Sequence, residues 1–162
     1  VNKVLKEFNV KLITIFLCLI SPAVMIINNG ILDSLSQYWG TPFQPLFIVS
    51  NIICSYFFFS LKNWKIPSFF LLLLTSFNWY EFQIAHNIFA LCFYFSCMYC
   101  LFINKRFLIY RYLYILSIVA YPYSILLGEL ISIFVLCCFH LQVLLYKNKL
   151  EKRNTLNKKT NT

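Results

Sequence analysis

Long apolar runs alternate with short polar breaks along the whole chain. A helix needs about 20 mostly apolar residues to cross about 30 Å of hydrocarbon. Such runs fall at about 12–30, 45–61, 66–80 and 84–103. A further run, Phe107 to Tyr146, is 40 residues long and has room for two crossings. Pro122 and Gly128 mark the turn between them. The pattern predicts an all-α integral membrane bundle of six transmembrane helices. Spans three and five are short, about 15–17 residues, and call for bilayer thinning or snorkelling at their ends.

Composition agrees. Of 162 residues, 60% are hydrophobic and only 12% charged, against roughly 25% charged in an average soluble domain. Mean hydropathy is +0.72. These values exclude a soluble globular domain, a disordered tail and a collagen-like chain. The net charge of +9 is explained by where the cations lie. Lys3, Lys6 and Lys11 precede span one, and Lys62 and Lys65 separate spans two and three. Lys105, Arg106 and Arg111 separate spans four and five. Lys147, Lys149, Lys152, Arg153, Lys158 and Lys159 follow span six. The three intervening loops carry Asp33, Glu81 and Glu129 instead. The positive-inside rule then puts both termini in the cytoplasm. Aromatic residues at the span ends, such as Tyr38, Trp39, Trp79 and Tyr80 outside and Trp64 and Tyr146 inside, fit the interfaces.

This divides the chain into a basic cytoplasmic N-terminus (1–11), a transmembrane domain (12–146) and a basic, flexible cytoplasmic tail (147–162). The charge is a topology signal and an attraction to anionic headgroups at the cytoplasmic face. It implies membrane lipids as partners and no nucleic acid. The expected location is the cell membrane, in a bacterium the cytoplasmic membrane. Ser21-Pro22-Ala23 resembles a signal cleavage site, but the apolar run continues through Val24 to Ile27, which favours an uncleaved anchor. Val1 is consistent with a fragment or with a non-ATG start.

Polar groups at hydrocarbon depth are costly and are functional candidates by default. An outer patch of Asp33, Ser36, Tyr38, Glu81, His86, Asn87 and Glu129 collects most of them. Asn51, with Ser50 and Ser55, and His140 lie deeper. Asp33, Glu81, His86 and Glu129 are residue types that hold zinc. Yet Glu81 and His86, five residues apart, diverge by about 140° on a helix, and no HExxH pairing exists. No metal and no cofactor are therefore expected. Haem between His86 and His140 fails on depth, since His140 lies about 16 Å beyond Glu129 at helical rise. Asp33, Ser34, Ser36 and His86 supply the types for a nucleophilic triad, without a GxSxG elbow. Three glycines cannot build a phosphate cradle.

All seven cysteines lie in apolar runs and read as small buried residues. Cys97-x-x-Cys100 and Cys137-Cys138 are cluster ligand types, but they lack polar residues around them. Interfacial cysteines also accept palmitate. The depths of His86 and Glu129 predict an interhelical hydrogen-bonded pair, completed by Tyr38 or Asn87. That pair would shape a headgroup-sized recess with Asp33 and Glu81 on its rim.

Three short motifs carry a family resemblance. Ser36, Tyr38, Trp39 and Pro42, running into span two, resemble a Ser-x-Tyr-aromatic-x-x-Pro stretch of small bacterial membrane proteins. His86-Asn87-Ile88-Phe89-Ala90-Leu91-Cys92-Phe93-Tyr94 resembles the start of their fourth span. Glu129 and Lys147 resemble residues that open and close their last span. These largely uncharacterised six-span proteins are distantly similar to the DRAM/Frag/Sfk group. Eukaryotic members of that group act in autophagy, GPI-anchor remodelling and plasma-membrane lipid organisation. The Lys62-Asn63-Trp64-Lys65 turn replaces their Gly-containing one. No established enzyme activity comes with the resemblance. The expected role is a non-enzymatic, lipid-associated or accessory protein with an outer-leaflet polar patch. The alternative is a membrane-embedded hydrolase acting on a lipid or amide at the outer surface. A small transporter subunit comes third, because interrupted helix pairs are missing.

Overall fold

A computed structural model describes residues 2–104 and 106–160, with side chains at 8–104, 106–150 and 153. Among the described residues all regular structure is helical. The α-helices are α1 (Asn2–Asn29), α2 (Gln44–Phe59), α3 (Lys65–Ser76), α4 (Gln83–Ile103), α5 (Ile109–Ala120) and α6 (Ile125–Thr160). A 3-10 helix, Leu35–Gly40, joins α1 to α2. Three segments are long and apolar enough to cross a membrane: Phe8–Asn29, Gln83–Ile103 and Ile125–Leu150. The other three α-helices are apolar but shorter.

Each helix packs on the next one in the chain, and α6 closes back on α1, so the six form a ring. Short connections make successive helices antiparallel neighbours. Trp64 of the α2–α3 turn packs on Phe139 of α6, and Phe107 of the α4–α5 turn packs on Phe139 and Tyr146. The basic turns therefore meet at one end, beside the second half of α6. There Arg106 stacks over the Tyr146 ring at 3.8 Å. Arg111 donates to the Leu101 and Asn104 carbonyls and satisfies the open end of α4. Lys105 and the side chains of Lys3, Lys6, Lys152, Lys158 and Lys159 lie outside the described part.

Several boundaries differ from the sequence expectation. Helix α3 stops at Ser76 rather than near 80. The hydroxyls of Thr75 and Ser76 bond back to the Leu71 and Leu72 carbonyls. Asn78 then accepts the Tyr80 N–H and forms a turn of its own. Helices α3 and α5 have only 12 residues each. Gly128 does not mark the turn before α6, which is made by Tyr121–Ser124, but sits within the helix. A Cβ there would meet the Tyr121 ring at 2.5 Å and the Ser117 carbonyl at 3.0 Å. Its role is close approach of α5 and α6. Helix α1 starts at Asn2, well before residue 12. The backbone of α6 is helical to Thr160, where a flexible tail was expected. Helix formers such as Lys149, Leu150, Glu151 and Arg153 carry the helix past the apolar run.

Burial is inverted relative to a water-soluble bundle. Ile27, Ile31, Tyr56, Ile84, Tyr99 and Phe134 point outward, Ile27 and Ile31 being 81% exposed. Thr14, Ser21, Ser50, Ser55, Ser68, Thr75, Ser117 and Ser132 are buried. Small hydroxyl residues at helix contacts and apolar ones outside are how helices associate in lipid. Ser55 and Ser68 show the pattern most fully. Each hydroxyl donates to the other residue's carbonyl at 2.8 Å, which clamps α2 to α3. One cysteine expectation is overturned: Cys18 of α1 and Cys54 of α2 form a disulfide, because the packing of α1 on α2 puts their Cα atoms 6.7 Å apart. The other five are free thiols.

Candidate functional site

The site lies at the end of the ring opposite the basic turns. Helix α1 ends at Gly30, whose φ of +77° suits glycine. The chain then folds over the ring as the 3-10 helix. Five contacts hold this segment down. The Tyr38 hydroxyl donates to the Gly30 carbonyl at 2.5 Å. The Leu126 N–H, one of the open donors at the start of α6, bonds the Asp33 carbonyl at 2.9 Å. The Leu35 N–H donates to Glu129 Oε2 at 2.6 Å. Ser36 meets His86, and the Tyr80 hydroxyl reaches the Gln37 carbonyl. Tyr38 is fully buried, and burial raises its pKa. The hydroxyl therefore stays protonated as a donor.

The protonation of His86 follows from its partners. Its Nδ1 lies 2.7 Å from the Phe77 carbonyl, which can only accept. Nδ1 therefore carries a proton, and in the neutral ring Nε2 is the acceptor. Ser36 Oγ lies 2.7 Å from Nε2, so the serine hydroxyl donates to it. The result is a serine–imidazole–carbonyl chain spanning the loop, α4 and the end of α3.

Beneath this segment a cavity of about 130 Å³ runs down the middle of the ring. Ser36 and Glu129 line its end under the 3-10 segment and His140 the end near the basic turns, about 16 Å apart at 1.5 Å per residue along α6. Most of the wall between them is apolar, with Met25, Phe47, Phe93 and Leu136 among the lining residues. The Cys18–Cys54 disulfide also faces it. Glu129 is half-buried and faces the cavity. Behind it, Ser132 donates to the Glu129 carbonyl and receives the Tyr94 hydroxyl. At the end near the basic turns the His140 ring packs against Trp64 at 4.4 Å, Phe57, Phe58 and Phe139, and its Nε2 has no hydrogen-bond partner among the described residues. A groove of about 410 Å³ between α1 and α6 shares Pro22 and Ile133 with the cavity. Pro22 has no N–H to offer the Cys18 carbonyl, which removes one α1 hydrogen bond beside this groove.

The structure sorts the outer patch expected from the sequence into two groups. Ser36, Tyr38 and His86 are buried together and Glu129 lies close by through Leu35. Asp33, Glu81 and Asn87 are exposed. The expected His86–Glu129 pair is not formed. Consecutive residues, Leu35 and Ser36, take one partner each. Among the described residues no three His, Cys, Asp or Glu side chains gather as metal ligands. The Phe77 carbonyl, the Leu35 amide and Ser132 carry no sequence signal, since their roles come from backbone position or from a common residue type. Comparison with protein-family models, curated proteins and solved structures gave no match.

Proposed function

We propose that the chain is a six-span integral membrane protein of the cell membrane, with both termini cytoplasmic, that takes part of one lipid hydrocarbon chain into its central cavity. The cavity carries this reading. It is mostly apolar, and its volume is close to that of an apolar cavity of about 150 Å³ that binds benzene. It therefore suits a segment of one chain rather than a whole lipid. The α1–α6 groove adjoins it and shares Pro22 and Ile133 with it, which makes this the entry we propose from the lipid-facing side. Glu129 at the outer end offers an acceptor to the lipid's polar part.

The six-span threading rests on the ring and on the charges. The basic turns meet at one end, while Asp33 and Glu129 belong to the segments held together at the other. Twelve-residue helices cover only about 18 Å, so α3 and α5 cross with the help of their flanking aromatic turns and a thinned bilayer. Cytoplasmic cations hold anionic headgroups at the inner face. The bacterial location rests on the resemblance of the outer-loop motif.

The test is native mass spectrometry of the full chain extracted gently from its own membranes. A retained lipid is expected, with retention lost in Ile133→Trp, which blocks the opening. Wild-type protein that emerges without lipid contradicts the reading.

A further inference from the structure

We propose that Ser36 and His86 form a nucleophile–base pair that cleaves a carboxylic ester of a long-chain acyl lipid. This rests on the acyl chain occupying the cavity and adds a reaction to that binding. Three observations support it. Ser36 Oγ lies 2.7 Å from His86 Nε2, within reach to pass its proton to the neutral ring. The opposite ring nitrogen is fixed by the Phe77 carbonyl at 2.7 Å. This is the nucleophile–base–orienter arrangement that activates a serine, with a backbone carbonyl in place of a carboxylate. Ser36 also lines the cavity's outer end, so a chain lying in the cavity brings its carbonyl carbon to Ser36 Oγ.

The step balances. Ser36 Oγ bonds the carbonyl carbon while its proton passes to His86 Nε2. The ester C–O bond breaks, and the alcohol leaves with that proton. Water then adds to the acyl carbon and gives a proton to Nε2. The Ser36 C–O bond breaks, Ser36 recovers its hydrogen, and the acid departs. Throughout, Nδ1–H stays on the Phe77 carbonyl. That carbonyl is a positioning group, and Ser36 and His86 are the reacting ones.

The probe is a long-chain alkyl fluorophosphonate added to membranes that contain the full chain. The proposal expects a covalent adduct on the peptide bearing Ser36. Ser36→Ala should abolish it, His86→Gln should slow it about 100-fold or more, and Ser34→Ala should leave it unchanged. A cooperative thermal transition in detergent at the wild-type midpoint reports that each variant is folded. Wild-type chain that shows the cooperative transition and no adduct overturns the proposal, as does an adduct on any other residue. If lipid is retained without labelling, the reaction fails and the cavity reading stands. If neither occurs, both fail.

Discussion

At the residue scale, the outer end shows how polar groups survive inside an apolar protein. His86 was legible as a residue of interest because an imidazole at that depth needs a partner. Its partners were not legible. One is a backbone carbonyl freed where α3 ends, and the other is a serine 50 positions away. Two residue-level outcomes are expected. Gly30→Ala forces an alanine to φ +77° and should cost about 1–2 kcal/mol. Thermal denaturation in detergent reads this as a lowered midpoint, and an unchanged midpoint would mean α1 ends differently. Ser55→Ala removes one hydroxyl of the α2–α3 clamp. Interhelical bonds of this kind average about 0.6 kcal/mol, so the loss should be small. In a double-mutant cycle with Ser68→Ala the two losses should not add, and strict additivity would separate the two hydroxyls.

At the element scale, hydropathy located all six helices, because period and run length depend on side chains alone. It misjudged their ends. Helix α3 stops where hydroxyls and Asn78 compete for the backbone, and Gly128 serves helix packing rather than a turn. The 3-10 segment was visible only as a polar loop, since its hold on Glu129 and Leu126 comes through backbone groups. The Cys18–Cys54 link was hidden because pairing depends on how α1 packs on α2. Mass tagging of thiols in denatured, unreduced protein should count five cysteines, and seven after reduction. Seven without reductant would remove the link. Past Tyr146, which touches Arg106 and Phe107, no described ring contact joins α6 to the rest. A chain ending at residue 150 should accumulate in membranes as well as the full chain, and a loss of yield would assign the last twelve residues a folding role.

At the scale of the whole molecule, a ring of six sequential helices makes a narrow apolar centre with a polar end. The alternation of basic and acidic segments anticipated which turns share an end, and the aromatic packing around Phe139 places Trp64 and Phe107 together as that requires. The cavity was beyond sequence reading, because it arises where six faces fail to fill the middle. The proposed lipid chain, the proposed placement of Glu129 at the outer face and the proposed serine pair all depend on the chain crossing the bilayer six times. A topology map with fused reporters tests this most directly. Fusions near residues 37, 82 and 126 should report the outside, and those near 63, 105 and 150 the cytoplasm. A reporter at 63 that reads outside would contradict the six-span ring.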